Sequence, residues 1–274
     1  MNDQMHAKET SSRLWKITSA SVSGTRHEKM GQPCQDSHVW KVINGKILIA
    51  AIADGAGSAL FGEIGSVLAV QSAIKTLHRS IAKSGITPDN SHQFLIDAVE
   101  SARTAIENKA QSEKMTARDF ATTLILLIAT DEFVSAIQIG DGAVIIKDDD
   151  GITALTKPIY GEFINETVFI ASPEAMDNAQ IEIKRNPVTH IAIITDGLQM
   201  LALQLPDYTP FEAFFSPLFK FLTEVKDEKK AYEQLISFLR SPRVAERVDD
   251  DLTLFLATIV EHADYRNFGK ELMF

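Results

Sequence analysis

The hydrophobic positions near the start of the chain follow the two-residue alternation that is typical of β-strands. Residues 14–24 alternate in this way and predict a half-buried opening strand. Two further strands, over 38–43 and 46–53, are separated by Asn44-Gly45, the pair that most readily adopts the positive φ angles of a type I′ turn. We therefore predict a single strand followed by a β-hairpin.

After Asp54-Gly55 the apolar positions change to a helical period. Residues 62–82 carry a broad apolar stripe, and a second helix follows for which Ser91 is the predicted N-cap. Strand patterns then return at close spacing, which predicts an antiparallel meander over residues 121–130, 133–140, 143–147 and 152–156.

The last part of the chain mixes both patterns. Strands are predicted at 166–171, 179–185, 190–195 and 252–259, and helical segments at 197–203, 211–225 and 228–239. Because strands and helices come in blocks, the order favours layered sheets with outer helices over a doubly wound parallel sheet. We predict a flexible N-terminus (1–13), one domain (14–261) and a C-terminal tail (262–274).

Composition and charge narrow the classes of partner. The chain has 27 lysines and arginines against 37 acidic residues, and its net charge of −10 disfavours nucleic acid and anionic membranes as partners. No apolar run approaches the roughly 20 residues that span a bilayer, and residues 1–13 lack the apolar segment of a secretory signal. We therefore expect a cytoplasmic protein.

The chain has one cysteine, Cys34, so it can form no internal disulfide and no cysteine-based zinc site. Trp40 stands where the C-x5-R loop of cysteine phosphatases requires arginine. Cys34 is therefore interpreted as a small residue near a turn.

Two aspartates directly follow buried strands. Asp54 and Asp196 each end a nearly all-apolar segment and precede a glycine and a predicted helix. A carboxylate at the end of a core strand is held by rigid scaffold, and the glycine lets a metal or phosphate approach the backbone closely. Asp150-Gly151, in contrast, follows two other aspartates between hairpin strands and predicts only a turn.

Two more acidic segments, Gln35-Asp36 and Asp249-Asp250-Asp251, stand directly before predicted strands. Clustered carboxylates repel one another unless cations are bound, and Mg²⁺ or Mn²⁺ suits a site made only of oxygen ligands. Two such ions about 4 Å apart can lower the pKa of a shared water and stabilise an in-line displacement at phosphorus. Four aspartates therefore predict a metal-dependent phosphatase site: Asp36, Asp54, Asp196 and Asp250.

Six short motifs follow one another along the chain: Gln35-Asp36, Ala53-Asp54-Gly55-Ala56-Gly57, Phe120-Ala121-Thr122-Thr123-Leu124, Ile139-Gly140-Asp141-Gly142, Thr195-Asp196-Gly197-Leu198 and Asp250-Asp251-Leu252-Thr253. Their order and approximate spacing resemble those of the metal-dependent serine/threonine protein phosphatases of type 2C, and the resemblance covers roughly residues 14–260. The chain is most similar to the compact bacterial branch, in which a Gly-x-x-His element resembles Gly24-Thr25-Arg26-His27 and a Gly-Glu-Phe-x-Asn-Glu-Thr segment resembles residues 161–167.

This resemblance implies an α+β fold with a central antiparallel β-sandwich, flanked on both faces by pairs of antiparallel helices in four α/β/β/α layers. It implies that Asp54 bridges two Mn²⁺ or Mg²⁺ ions and that the Gly55 carbonyl binds one of them. Asp196 and Asp250 would ligate the other ion, Asp36 would hold metal-bound water, and Asp141 with Asp196 would bind a third, weaker ion. A metal-bound water or hydroxide would hydrolyse phosphoserine and phosphothreonine in signalling proteins, opposing a serine/threonine kinase.

The departures from the family concern mainly the contacts to phosphate. Gly31 stands where many members have a phosphate-binding arginine, which leaves Arg26, His27 and Lys29 as candidates for that contact. The remaining departures are Ala56 for a general-acid histidine of some relatives, Asp251 for a commoner asparagine, Gly142-Ala143 for Ser-Arg, and a segment 156–161 too short to hold a large flap.

Two alternatives stay open. A pseudophosphatase that keeps the fold as a regulatory binding module would be expected to lose a ligand aspartate, and none is lost. A haloacid-dehalogenase-type phosphatase would need Asp-x-Asp, whereas Asp54 is followed by Gly-Ala. Four scattered histidines show no metal-ligand spacing and are expected to be surface or structural residues: His6, His78, His92 and His262. The phosphoprotein substrate and the oligomeric state are not determined by the sequence.

Overall fold

The computed structural model of the protein describes residues 13–158 and 167–261. Within these ranges the strands are β1 (Arg13–Val22), β2 (Asp36–Ile43), β3 (Ile47–Asp54), β4 (Leu124–Ala129), β5 (Val134–Ile139), β6 (Ala143–Asp148), β7 (Gly151–Thr156), β8 (Gln180–Lys184), β9 (His190–Ile194), β10 (Leu203–Gln204), β11 (Thr209–Pro210) and β12 (Leu252–Glu261). The helices are α1 (Thr25–Met30), α2 (Gly62–Ser84), α3 (Pro88–Glu113), α4 (Gln199–Ala202), α5 (Glu212–Glu224), α6 (Glu228–Leu239) and α7 (Pro242–Ala245), with 3₁₀ turns at Ala117–Phe120 and Asp196–Leu198.

Two five-stranded antiparallel sheets form the centre of the described part. Their strand orders are β1-β12-β9-β6-β7 and β2-β3-β4-β5-β8. One apolar core lies between the sheets, a second lies between the β2–β8 sheet and helices α2 and α3, and a third lies between the other sheet and helices α5 and α6. The predicted four-layer α+β sandwich is thereby confirmed.

Strand β3 shows why the central strands are apolar at almost every position. Ile49 and Ala51 belong to the core beneath the helices, whereas Leu48 and Ile52 belong to the core between the sheets. Successive side chains of a strand point to opposite faces, so a strand covered on both faces buries all of them. This strand carries Asp54 at its end, and its burial gives that aspartate a rigid support.

The turn between β2 and β3 has the predicted geometry. Asn44 and Gly45 have φ angles of 52° and 71°, and Lys46 N donates a hydrogen bond to Ile43 O at 3.1 Å. Two consecutive positive φ angles define the type I′ turn, whose twist matches that of the strands it joins. The hairpin register places Asp36 opposite Asp54.

The predicted cap of α3 is wrong. Thr87 is the N-cap: its hydroxyl accepts from Asn90 N, and the Asn90 side chain accepts from Thr87 N. Ser91 lies in the first turn of the helix and donates to Pro88 O at 2.8 Å. Proline at the first helical position is the signal that places the start of this helix earlier.

Three further expectations are corrected. The meander is interrupted, because β5 and β6 belong to different sheets and the chain crosses between them through Gly140, which has a φ of 109°. Residues 167–171 form turns and irregular structure rather than a strand, and residue 166 lies outside the described residues. The first strand ends at Val22, and a short helix, α1, follows it.

Of the predicted flexible N-terminus, residues 1–13, Arg13 begins β1 and residues 1–12 lie outside the described residues, as does the tail 262–274. The domain boundaries stay a prediction. Among the described helices, none combines the length and the apolar character that a membrane crossing requires.

Candidate metal centre

Three aspartates from different parts of the sandwich converge at one end of it. Asp54 ends β3, Asp141 lies in the β5–β6 crossing, and Asp196 begins the 3₁₀ turn after β9. One carboxylate oxygen from each lies within 4.8 Å of the others. Because β3 and β9 belong to opposite sheets, packing of the two sheets assembles this cluster, and its oxygen spacing suits a hard cation.

The Asp36 carboxylate is held from one side only. It is 5% exposed, and its Oδ2 accepts hydrogen bonds from Thr195 Oγ1 at 2.8 Å and Thr253 Oγ1 at 2.7 Å. Its Oδ1 is buried and has no hydrogen-bond partner among the described residues. Buried polar atoms normally have a partner, so this oxygen fits a place beside a cation or the water that a cation holds.

A chain of hydrogen bonds links Asp36 to His38, which lies two residues further along the same strand. Thr253 Oγ1 has one proton and donates it to Asp36, so Ser21 Oγ must donate to Thr253 Oγ1 across 2.7 Å. His38 Nδ1, 2.8 Å from Ser21 Oγ, must then donate to that hydroxyl. This proton accounting assigns His38 the tautomer with its proton on Nδ1, and it ties β1, β2 and β12 to one carboxylate.

Asp250 and its neighbour Asp251 have different surroundings. Asp250 is half-buried. Burial is the main cause that raises the pKa values of Asp141 and Asp196, and the charge of Asp250 raises both further, so Asp250 lies within the field of the cluster. Asp251 is 2% exposed and accepts from Gly24 N at 2.8 Å and Gln35 N at 2.6 Å. Asp251 therefore fixes the start of α1 and the segment before β2, which is a structural role.

Burial and mutual repulsion raise the pKa values of the clustered carboxyls. The pKa of Asp54 lies well above its ordinary value, first because of burial and then because of the charges of Asp36 and Asp196. Burial also raises the pKa of Asp36 in spite of its two hydroxyl donors, and it raises the pKa of Asp196 together with the charge of Asp141. Carboxyls with these shifts need positive charge in order to be ionised together, and divalent cations supply it.

The backbone of Asp54 is fixed by the two threonines of the Phe-Ala-Thr-Thr motif. Thr122 Oγ1 donates to Asp54 O at 2.8 Å, and Asp54 N donates to Thr123 Oγ1 at 3.0 Å. A Cβ atom on Gly55 would lie 2.4 Å from the Gly62 carbonyl, so only glycine fits where this loop closes on the start of α2. The motif is thus explained by the positioning of Asp54.

The three basic residues considered for phosphate binding have different positions. Arg26 is exposed, and its Nη2 lies 2.9 Å from where a Cβ on Gly57 would stand, so its guanidinium covers the loop after Asp54. His27 is 2% exposed with its Nδ1 2.9 Å from Asp251 Oδ1. This burial contradicts the prediction of His27 as a phosphate ligand, because its ring cannot reach a substrate. Lys29 is exposed on the same helix.

Several residues of the site were missed at the level of sequence. Ser21 and His38 reach Asp36 only through the pairing of β1 with β12 and the position of β2, and neither stands in a recognisable motif. Gln199 donates through its side-chain amide to Asp141 O. Thr195 and Thr253 belong to the quoted motifs, so their proximity to the aspartates could have been inferred.

Cys34 stands next to this site but is not activated. Burial, followed by the negative charges of Asp36 and Asp251, raises the pKa of its thiol. A thiol that stays protonated is a poor nucleophile, which agrees with its interpretation as a structural residue.

Comparison with known sequences finds the same family that the motifs indicate. A family model described as Protein phosphatase 2C matches residues 23–240. The serine/threonine-protein phosphatase 3 of Escherichia coli (strain K12) is 32% identical over 253 residues, which are 90% of this chain and 99% of that protein.

Solved structures show the same fold at lower identity. The serine/threonine phosphatase Stp1 from Staphylococcus aureus is 14% identical with a TM-score of 0.64, and the alignment covers 90% of this chain and 96% of that one. The catalytic domain of the serine/threonine protein phosphatase PstP, in complex with two manganese ions, is 15% identical with a TM-score of 0.60 over 91% of this chain and 100% of that one. At these identities the likeness concerns the fold.

Proposed function

As a member of the protein phosphatase 2C family the chain is a metal-dependent serine/threonine protein phosphatase, and we propose that Asp36, Asp54, Asp196 and Asp250 form its catalytic metal centre. The observation that carries this proposal is the convergence of carboxylate oxygens of Asp54, Asp141 and Asp196 within 4.8 Å at one end of the sandwich. The partnerless Oδ1 of Asp36 supports it from the adjacent strand.

The donor set supports Mn²⁺ or Mg²⁺ as the cofactor. The cluster consists of carboxylates, and hard cations prefer such oxygens over the nitrogen and sulfur ligands that zinc selects. We propose two ions that share Asp54, with the Gly55 carbonyl, Asp196 and Asp250 as further ligands, and a third, weaker ion at Asp141 and Asp196. When bound, these cations would act as Lewis acids on the phosphate and lower the pKa of a bound water.

The residues around Asp36 support a role in orienting the attacking water. Thr195 and Thr253 hold Oδ2 and thereby fix the carboxylate plane, while Oδ1 stays available to accept a hydrogen bond. A carboxylate fixed in this way can align a water proton without rearranging during the reaction.

Among the basic residues, the position of Arg26 supports it as the ligand of the substrate phosphate. Its guanidinium lies over Gly57, three residues beyond Asp54, and a guanidinium can bind two phosphate oxygens at once. Lys29 is the less supported candidate. The substrates are phosphoproteins, and we propose that a serine/threonine kinase produces the phosphorylation that this enzyme removes.

The test compares two Asp-Gly pairs of the same chain. Hydrolysis of para-nitrophenyl phosphate and of a phosphothreonine peptide is measured with Mn²⁺, with Mg²⁺ and with EDTA, for the wild type, Asp54→Asn and Asp150→Asn. We expect activity only with metal, a loss of at least about 100-fold in Asp54→Asn, and no change in Asp150→Asn, which stands in the β6–β7 turn.

Two results would contradict the proposal. Turnover in EDTA, or full activity of Asp54→Asn, would exclude this metal centre as the catalytic site. Intact Mn²⁺ binding by calorimetry without any turnover of either substrate would instead favour the pseudophosphatase.

A further inference from the structure

The four most exposed large apolar side chains among the described residues lie at the metal end of the sandwich. Met200 is 72% exposed, Leu60 70%, Met30 64% and Leu205 56%. We call these four side chains the apolar rim. Single exposed leucines and methionines are ordinary on protein surfaces, so the segments that carry these four decide whether they bear on the site.

Two members of the rim lie in segments that begin at proposed metal ligands. Leu60 stands in the loop between Asp54 and α2, and this loop is closed by the contact of Gly55 with Gly62. Met200 directly follows Gln199, whose side chain donates to the Asp141 carbonyl. Both residues therefore belong to the backbone segments that position the carboxylate cluster.

The other two members, Met30 and Leu205, lie in elements that hydrogen bonds join to the metal end of the sandwich. Met30 ends α1, and this helix is joined to the acidic segment before β12 by a hydrogen bond from Arg26 N to Asp249 O at 3.0 Å. Leu205 lies in the β10–β11 hairpin, which Lys157 Nζ joins to the end of β7 by donating to Asp207 O at 2.9 Å. That end of β7 is the metal end, since Thr156 is paired with Val144 just beyond Asp141.

We propose that the apolar rim binds the residues on either side of the phosphorylated residue, so that the enzyme prefers phosphoproteins whose phosphorylation site has apolar neighbours. The inference rests on the proposed function, because it uses the carboxylate cluster as the place where the phosphate binds. A substrate segment that brings its phosphate to the cluster must cover these side chains, and removing apolar surface from water favours that complex.

The experiment uses two phosphothreonine peptides that differ only in the flanking residues, leucine and methionine in one and glycine in the other. The selectivity is the ratio of their kcat/KM values with Mn²⁺. We expect a ratio of about five to ten for the wild type and a reduction of about threefold in each of Leu60→Ser and Met200→Ser. Tyr232→Ser on α6 is the control, because Tyr232 is also apolar and 48% exposed but lies on the outer helix layer.

A wild-type ratio near one, or the same ratio in both rim variants as in the wild type, would overturn the inference while leaving metal-dependent hydrolysis of both peptides intact. Failure of the wild type to hydrolyse either peptide would overturn the proposed function itself. Analytical ultracentrifugation provides a second measurement: a dimer that Leu60→Ser dissociates would make the rim a self-association surface and would also refute substrate binding there.

Discussion

Removal of the Thr253 hydroxyl, which donates to Asp36, should weaken metal binding as well as stability, whereas removal of a comparable hydroxyl elsewhere should affect stability alone. The change is Thr253→Val, which keeps the shape of the buried side chain. It removes the donor to Asp36 Oδ2 at 2.7 Å and the acceptor of the Ser21 hydroxyl at 2.7 Å. Asp36 keeps one donor, Thr195, so a single hydrogen bond instead of two then orients its carboxylate.

The magnitude follows from the type of bond that is lost. A hydrogen bond to a charged group contributes about 1.5–3 kcal/mol, and a factor of ten in affinity corresponds to about 1.4 kcal/mol. Loss of a group that orients a metal site typically reduces metal affinity by about 10- to 100-fold. We therefore expect Thr253→Val to lose about 1–3 kcal/mol of unfolding free energy and about 10- to 100-fold in Mn²⁺ affinity.

The same strand provides a matched control. Thr258 is also buried in β12, and its hydroxyl donates to Thr189 O at 3.1 Å, away from the metal end. Thr258→Val should lower stability by about 1 kcal/mol and leave Mn²⁺ affinity unchanged. Thr253→Ser, which retains the hydroxyl, should restore the affinity. Mn²⁺ binding is measured by isothermal titration calorimetry and stability by urea unfolding of the metal-free protein. Equal Mn²⁺ affinities in Thr253→Val and Thr258→Val would refute the role assigned to this hydrogen-bond chain.

Two further predictions concern the phosphate contact and the pH dependence of stability. Arg26→Ala should reduce kcat/KM for a phosphothreonine peptide by about 10- to 100-fold, whereas Lys29→Ala should have no effect. Gly57→Ala should cause a smaller reduction, because the added methyl group displaces the Arg26 guanidinium. Equal effects of Arg26→Ala and Lys29→Ala would contradict the assignment of Arg26 as the phosphate ligand. Burial, aided by the charge of Lys147, lowers the pKa of His190 to about 4. In the unfolded chain His190 binds a proton near pH 6.5, whereas in the folded protein it stays neutral until the pH approaches 4. The free energy of unfolding therefore falls as the pH drops from 6.5 towards 4. The melting temperature of His190→Gln should fall less over this interval than that of the wild type, and parallel curves would exclude His190 as a source of the loss.

Local patterns predicted most of the secondary structure, because a helix and a strand each place buried side chains at a fixed spacing along the chain. The stripe after Asp54 gave α2 to within a few residues, and the Asn-Gly pair gave the geometry of the β2–β3 turn. The same reading of strand patterns predicted the acidic cluster, because aspartates that follow core strands lie where those strands end.

One error had a local remedy and another did not. The helical period did not distinguish Ser91 from the true cap, Thr87, because both residues are good cap formers, although the proline that follows Thr87 marks the first helical position. The spacing of β5 and β6 resembles a hairpin, yet the chain crosses to the opposite sheet between them, and this crossing delivers Asp141 to the cluster.

The sequence alone determined that the chain is a layered α+β protein with strand-end aspartates in the order of a metal-dependent phosphatase, because periodicity and motif order are properties of the chain itself. Only the tertiary structure showed that His27 is buried against Asp251, that Arg26 covers the loop after Asp54, and that Ser21 and His38 are linked to Asp36. The physical reason is separation along the chain. Gly24 donates to a carboxylate 227 residues away, and the pairing of β1 with β12, rather than its sequence neighbours, fixes this partner.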